Sequence, residues 1–531
     1  MANKTLFSST LSSFGAKFLP RTDVVNEAGG NAYAYGPEAL LAQLAATGTL
    51  SDGFYADAEG QLAKVLEAAW AVDAEWVAKC AIYARQSGAM KDMPALLTAV
   101  LSMSDPDLMV PVFKRVIDNG RMLRNFVQIM RSGQTGRTSL GSRPKRLVRE
   151  WLENASTRQL MQAATGNDPS LADIVKMVHP APASAERRAF YGWLIGKPYD
   201  VAALPKEIAD FEAWKADRQN DVSGPLPDVP FEWLTAFELT AKQWAVLAER
   251  IGWQALRMNL NTLARKGVFQ IDGVTEMVAA RLADPDAIAR VKPMPYQLMT
   301  ALTQVGAKGD GTVPLAVQAA LEKALDLSLA KVPVLAGNVV VCPDVSGSMG
   351  SPATGYRKGA TSVVRCIDIA ALVSSAMLRS NSQTRVLPFE VDVVKLKLDP
   401  KARVAVNAAK LAEVGGGGTN VSAPLALLNR EKAKVDTVVI VSDNESWVDP
   451  ARRGATATMN EWTKLKARNR HAKLICIDIQ PYGSTQAKAR KDIMNVGGFT
   501  DAVFDAMARF ANGPEGGGAK DWVEIVNEVE V

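Results

Sequence analysis

Apolar positions from about residue 37 to residue 330 recur with the spacing of one helix face, and short Gly, Pro or Asp breaks separate the periodic segments. Examples are PEALLAQLAA, LADIVKMV and AKQWAVLAERI. Many short amphipathic helices in series favour a helical repeat, although the sequence contains no repeat of fixed length. The stretch from Lys197 to Trp233 is rich in Pro and acidic residues and predicts an irregular excursion.

The pattern changes after residue 335, where short apolar runs alternate with helical stretches. The runs NVVVCPD, RVLPFEV, DTVVIVSD and KLICIDI are rich in β-branched residues, as buried parallel strands are. This alternation predicts a doubly wound α/β domain, whose site lies at the carboxyl ends of the strands. We therefore predict an all-α module over residues 1–335 and an α/β domain over residues 336–531.

Composition excludes several classes of protein. The chain has 531 residues, 48% hydrophobic and 22% charged, which is ordinary for a globular protein and long enough for more than one core. Four Cys without close pairs and two His exclude a disulfide framework and a multi-histidine metal site, so any metal must be held by oxygen. No secretory h-region and no apolar run of about 18 residues occur, so we expect a cytoplasmic protein. We also expect it to be monomeric.

Positive charge is concentrated in one segment. Residues 114–149 carry ten basic residues, eight of them Arg, against Asp118 alone, and this density favours a polyanionic partner such as RNA. The alternative is that these basic residues lie on the solvent-exposed faces of two helices and bind no partner. The residues predicted to contact RNA phosphates are Arg121, Arg124, Arg131, Arg137, Arg143, Lys145, Arg146 and Arg149.

A set of oxygen-bearing residues follows the predicted strands. Asp344, Ser346 and Ser348 form a D-x-S-x-S run after the first strand, Thr419 follows a glycine run, and Asp443 ends a later strand. Two carboxylates with neutral hydroxyls suit Mg²⁺, although the Asp and Ser residues could simply cap the next helix. No Gly-Lys-[Ser/Thr] follows the glycines and no His stands beside the serines, so we predict no enzyme activity.

These elements resemble known ones. D-V-S-G-S, G-G-T and S-D-N-E are similar to the metal-ion-dependent adhesion site (MIDAS) of a von Willebrand factor A domain. A helical module followed by an A domain resembles the Ro ribonucleoprotein family, with its TROVE module. Further support comes from residues 26–33 (NEAGGNAY), 173–180 (DIVKMVHP), 255–260 (ALRMNL) and 441–445 (VSDNE).

The resemblance implies a ring of HEAT-like repeats closed by the A domain. It implies binding of small noncoding Y RNA on the outer face and of the single-stranded 3′ ends of misfolded RNA in the central hole. It further implies that a bacterial member acts with an exoribonuclease in RNA processing or quality control. By position, the ion site would be Asp344, Ser346, Ser348, Thr419 and Asp443. His179 would fall in an RNA-contacting loop; the alternative is that it only ends a helix before Pro180 and has no role. One departure is that Lys176 is the only basic residue between Arg158 and His179.

The leading hypothesis is a non-catalytic RNA-binding protein. The alternative is a metal-dependent protein-binding scaffold in which the A domain captures a partner's carboxylate. A metal-dependent nuclease is weaker, because two-metal hydrolysis generally needs more carboxylates than Asp344 and Asp443.

Overall fold

The computed structural model describes residues 19–47, 50, 57–218, 221, 223–293, 295–306, 312–329, 332, 334–353, 364–381, 383–400, 402–443, 445–446, 448, 455–480, 483–498, 501–513 and 521–531. The chain divides into two compact units. The first contains the chain up to Met93 together with Leu329–Glu530, and the second contains Pro94–Ser328. The division after residue 335 stays a prediction, since compactness groups the N-terminal residues with the C-terminal part.

The N-terminal part of the first unit is a short hairpin followed by helices. The elements are β1 (Val24–Val25), β2 (Asn31–Ala34), α1 (Pro37–Thr47), α2 (Ala58–Trp70) and α3 (Ala74–Gln86). Asp57 and Asp73 cap α2 and α3, because each carboxylate accepts a hydrogen bond from an N–H of the first turn. Helix α1 packs against both α2 and α3.

The second unit is helical in its described residues. Its longer helices are α4 (Asp92–Ser104), α5 (Met109–Val116), α6 (Gly120–Arg131), α7 (Ser142–Asn154), α8 (Thr157–Ala163), α9 (Leu171–Val178), α10 (Ala185–Ile195), α11 (Lys206–Asp217), α12 (Phe231–Leu234), α13 (Ala241–Arg250), α14 (Trp253–Met258), α15 (Leu260–Arg265), α16 (Val274–Leu282), α17 (Pro285–Val291), α18 (Pro295–Gly306) and α19 (Leu315–Leu329). The prediction of serial short helices is confirmed, whereas closure into a ring stays a prediction.

The predicted irregular excursion is wrong in part. Helix α11 lies inside it, because Phe211 and Trp214 find aromatic partners in Trp233 and Phe237. Arg218 lies over the rings of Trp214 and Phe237, at 4.7 and 5.6 Å from their centroids. The Pro and acidic residues of this stretch therefore frame a helix with its own small aromatic core.

The C-terminal part of the first unit is the predicted parallel sheet with helices. Its elements are β3 (Val339–Pro343), α20 (Cys366–Ser380), β4 (Arg385–Val386), α21 (Val404–Ala412), α22 (Ala423–Arg430), β5 (Thr437–Ser442), α23 (Ala457–Arg468), β6 (Lys473–Asp478), β7 (Ser484–Thr485), β8 (Ile493–Gly497), α24 (Asp501–Asn512) and α25 (Trp522–Asn527). The strand order is β4-β3-β5-β6-β8, and every pair is parallel. The α/β prediction is confirmed.

The register of this sheet brings the carboxyl ends of its central strands together. Pro343 lies opposite Val441, and Ser442 lies opposite Asp478. The strands are buried along their whole length, and Trp462 and Phe389 fill the core beside them. Loops that follow β3, β5 and β6 therefore meet at one edge, which we call the carboxyl edge. In the described part of the chain, no helix is long and apolar enough to span a bilayer.

Candidate functional site

The carboxyl edge holds the five residues predicted to bind a cation. Asp344 follows β3 and Asp443 follows β5, and the Asp344 N–H donates to the Val441 carbonyl at 2.9 Å. The five side chains are all at most 5% exposed. Burial of so many polar groups at one strand edge is costly unless they are paired with one another or with a ligand.

Hydrogen bonds tie these side chains into one cluster. Asp344 accepts from the Ser346 N–H at 2.8 Å through Oδ1 and from the Ser442 hydroxyl at 2.6 Å through Oδ2. The hydroxyls of Ser346 and Ser348 lie 3.3 Å apart. Ser348 also hydrogen-bonds Asp443 and so lowers its pKa, against the larger effect of burial, which raises it. The structure therefore brings four of the five predicted residues into contact.

Thr419 reaches the edge through the glycine run that precedes it. The Gly347 N–H donates to the Gly417 carbonyl at 2.9 Å, and the Gly416 N–H donates to the Val345 carbonyl at 2.9 Å. Gly415 has a φ of +104°, and a Cβ there would overlap the Val345 carbonyl oxygen. This close approach, which only glycine allows, packs the loop of Thr419 directly on the D-x-S-x-S loop.

The electrostatics of the cluster favour a cation. Burial and the charge of Asp443 raise the pKa of Asp344 to about 7, because two carboxylates in one dry site repel each other. No cluster of three or more acidic, His or Cys ligands occurs among the described residues. Hydroxyls and water would therefore complete the coordination, and this donor set fits Mg²⁺.

The predicted RNA-contacting residues fall into three groups. The arginines of the first group hydrogen-bond backbone carbonyls near the carboxyl ends of neighbouring helices. Arg124 donates to the Ala163 carbonyl at 2.6 Å, and Arg137 donates to the Ser102 carbonyl at 2.7 Å. Arg149 donates to the Val178 carbonyl. Burial lowers the pKa of Arg124, and the charge of Arg121 lowers it further. A Cβ at Gly166 would overlap the Arg124 guanidinium, so that glycine leaves the space for it.

The second group is paired with carboxylates. Arg143 lies 2.8 Å from Asp107, and Arg146 lies 4.0 Å from Glu150 one helical turn away. Both pairs are solvent-exposed, and such pairs contribute about 0–1 kcal/mol to stability. An incoming phosphate could therefore replace either carboxylate as the partner of its arginine.

The third group comprises Arg121, Arg131 and Lys145. Arg121 and Arg131 are exposed at the two ends of α6, whereas Lys145 is half-buried on α7. The opposite face of α6 is buried through Met122, Leu123, Phe126, Val127 and Met130. Helix α6 is thus amphipathic as predicted, with the charge on its free side.

Helix α9 extends this basic surface. It packs against α6 and α7, and it exposes Lys176 and, at its end, His179. The pKa of Asp173 on α9 is lowered mainly by hydrogen bonds from Ser170, and the charges of Lys176 and Arg131 lower it further. Lys176 and Arg131 therefore lie within electrostatic reach of the same carboxylate, on neighbouring helices. We call Arg121, Arg131, Arg146, Lys176 and His179 the basic face.

Similarity to known proteins covers the residues of both the carboxyl edge and the basic face. A family model of the Ro60 vWA domain matches residues 338–511. The protein named RNA-binding protein RO60 from Deinococcus radiodurans is 25% identical over 525 residues, which cover 93% of this chain and 96% of that protein. The C-terminal domain matches the Ro60 vWA family, and similarity to Ro proteins extends over nearly the whole chain. The crystal structure of the Deinococcus radiodurans Ro (RSR) protein has the same fold, with a TM-score of 0.62 at 23% identity, covering 90% of this chain and 100% of that one.

The N-terminal segment (residues 19–35) lies along the carboxyl edge of this Ro60-type vWA domain. Asn26 donates to the Ser446 carbonyl at 2.8 Å, and the Ala28 N–H donates to the Glu445 carboxylate at 3.2 Å. Strand β2 pairs with β7, and Tyr35 donates to Asp478. The motif at residues 26–33, which supported the family resemblance, thus binds residues 19–35 to the A domain.

Sequence reasoning missed two acids at this edge of the Ro-family domain. Burial and Asp443 raise the pKa of Glu445 to about 8, and burial raises the pKa of Asp478 to about 7, although its hydrogen bond with Tyr35 lowers it. Asp478 ends the apolar strand β6 and Glu445 lies three residues after β5, and these positions were a visible signal. Asn444, between Asp443 and Glu445, lies outside the described residues. Arg187 and Arg188 of α10 were also missed, because Glu186 leaves that helix with only one net positive charge.

Proposed function

We propose that this Ro-family chain is a non-catalytic RNA-binding protein. The observation that carries the proposal is the basic face of the second unit, where Arg121, Arg131 and Lys176 are exposed. RNA phosphates would neutralise this charge and release counterions. The full-length relative that is named an RNA-binding protein supports the same conclusion.

The finer function follows the family resemblance. The RNAs would be small noncoding Y RNA and the single-stranded ends of misfolded or structured RNA. An exoribonuclease would act with the protein in RNA processing and quality control, in the cytoplasm. The basic face supports contact with the RNA backbone and shape, because exposed arginines form bidentate contacts with phosphate independently of base sequence.

The test is a salt titration of RNA binding. Labelled single-stranded RNA and a hairpin with a 3′ overhang are titrated with the untagged protein, and anisotropy is measured from 50 to 200 mM salt. We expect log K to fall linearly with log salt, by about three orders of magnitude for roughly six phosphate contacts. Absence of binding at 50 mM salt would overturn the proposal. Shortening of the RNA in Mg²⁺ would overturn its non-catalytic part.

The carboxyl edge supports a second, separate proposal. Asp344, Ser346, Ser348, Thr419 and Asp443 would hold one divalent cation, Mg²⁺. The bound ion would supply an electrophilic centre that can accept an outside carboxylate. The buried pair of Asp344 and Asp443 supports this, because a cation would relieve the repulsion that raises the pKa of Asp344.

Mg²⁺ is expected to raise the melting temperature more at pH 8 than at pH 6. Because the pKa values of Asp344 and Asp478 are raised, the folded protein favours the neutral form of both carboxyls. Their contribution to the free energy of unfolding is fully present below about pH 4 and is lost as pH rises through about 7. A cation offsets that loss, and it stabilises by about 2.7 kcal/mol at a concentration of 100 times its Kd. Melting is followed in Mg²⁺ and in EDTA, with Asp443→Asn as the control that should not respond. Identical curves in Mg²⁺ and EDTA at pH 8 would contradict the site.

The cation also distinguishes the alternative function, a scaffold that captures a partner's carboxylate. In that case a chelator would abolish partner binding. RNA affinity, which depends on the basic face, should stay within twofold when EDTA replaces Mg²⁺.

A further inference from the structure

The loop between α9 and α10, residues 179–184, has the sequence HPAPAS and is largely exposed. His179 ends α9 with φ 49° and ψ 64°, the left-handed conformation that usually favours glycine. Pro180 and Pro182 restrict the backbone and provide no N–H groups. An exposed loop with so few internal hydrogen bonds needs other contacts to hold one shape.

Two arginines supply those contacts, one at each end. Arg149 of α7 donates from Nε to the Val178 carbonyl, immediately before His179. Arg188 of α10 donates from Nη1 to the carbonyls of Pro182 and Ala183, at 3.1 and 2.6 Å. We call residues 179–184 the braced loop.

The base of the braced loop is fixed independently of these two residues. Arg187 donates to the carbonyls of Leu152 and Ala155 at 2.8 and 2.7 Å, which ties α10 to the end of α7. Ser184 caps α10 by accepting from the Arg187 N–H at 3.1 Å. Removal of Arg149 or Arg188 should therefore loosen the loop without separating the helices.

We propose that Arg149 and Arg188 are positioning residues, which hold the braced loop so that the exposed imidazole of His179 is presented to RNA in one orientation. This proposal rests on the RNA-binding function proposed above. An ordered loop loses less conformational entropy when RNA binds, and an imidazole can stack on an unpaired base or donate to it. The Arg149 guanidinium acts here through the Val178 carbonyl, whereas Arg146 on the same helix has only an exposed ion pair with Glu150, which a phosphate can replace.

Salt dependence separates the two roles. A residue that contacts phosphate contributes about 0.7 to 0.9 to the slope of log K against log salt, and a positioning residue contributes nothing to it. We expect Arg149→Gln and Arg188→Gln to lower RNA affinity about fivefold to tenfold with an unchanged slope. Arg146→Gln, the matched control, should lower the slope by nearly one phosphate contact.

Conservative replacement gives an independent readout. Arg149→Lys keeps the charge but has no Nε–H in the same place, so it should lose as much affinity as Arg149→Gln. Retained affinity in Arg149→Lys, or a slope lowered in Arg149→Gln as in Arg146→Gln, would overturn the proposal. Complete lack of RNA binding by the unaltered protein would instead overturn the proposed function.

A double variant tests the route through His179. If Arg149 acts by positioning that side chain, Arg149→Gln adds less than twofold to the loss in His179→Ala, because the group it positions is already gone. Full additivity would refute the proposal. The melting temperature of Arg149→Gln and of Arg188→Gln should stay unchanged, which confirms that each variant is folded.

Discussion

Replacement of Arg121, Arg131 and Arg146 together by glutamate is expected to weaken RNA binding at least tenfold while the protein stays folded. All three side chains are exposed, and none of them carries a hydrogen bond to a helix end in the described structure. Three lost phosphate contacts should lower the salt slope by about two for single-stranded RNA. Anisotropy at three salt concentrations measures both effects.

The control for this variant changes the net charge equally but elsewhere in the second unit. Arg265, Lys266 and Arg290 are exposed and lie outside the basic segment. Their replacement by glutamate should leave affinity within about threefold, since long-range effects are screened beyond about 8 Å at physiological salt. Equal losses in the two triple variants would show that only net charge matters and that the basic face is not a site. Arg124 and Arg149 are left unaltered in this design, because they hold helix ends.

Gly415→Ala is expected to disrupt the carboxyl edge and to remove the stabilisation by Mg²⁺. The residue has φ +104°, and an added Cβ would overlap the Val345 backbone. Backbone strain costs of order 1–3 kcal/mol, and a shift of a packed loop adds a similar amount. The Thr419 loop would therefore move away from Asp344 and Ser346. The melting temperature in Mg²⁺ and in EDTA measures both the loss of stability and the loss of the cation response.

The Gly416→Ala variant distinguishes the effect of backbone strain from the effect of steric overlap with Val345. Gly416 has φ +118°, but its added Cβ would meet no atom within 4 Å. It should lose stability through strain alone and keep its response to Mg²⁺. Loss of the cation response in both variants would show that backbone strain alone abolishes it, and that overlap with Val345 is not the cause. Its retention in Gly415→Ala would argue against Thr419 as part of the site.

The fold was largely predictable from hydrophobic spacing. The helices of the second unit and four strands of the A domain each follow an apolar pattern that matches their period. Strands β1, β2 and β7 have two to four residues each, too few to show a hydrophobic period, and β2 pairs with β7 across some 450 residues. Strand β8 carries Asn495, whose side chain is satisfied by Ala487 and Thr485, contacts that only the folded structure supplies.

The candidate sites were predictable to different degrees. The oxygen ligands follow strand ends, and parallel topology alone brings them together. The arginines could not be assigned roles, because Arg124 and Arg149 differ from Arg121 and Arg146 only in having a helix end within reach. The sequence gives the spacing within each helix, whereas the carbonyl that each guanidinium reaches depends on how the helices cross.

The pairing of β2 with β7 has a consequence for biosynthesis. Tyr33 is fully buried in the core beside Trp462, and its strand partner Thr485 is translated some 450 residues later. At about 5–20 residues per second, the emerging chain must wait roughly 20 to 90 seconds for that partner. During this interval an apolar strand edge is open to wrong pairing. A fragment that starts at residue 336 would lack this strand permanently, so it would leave a gap in its core and the Asp478 carboxylate without its phenol donor.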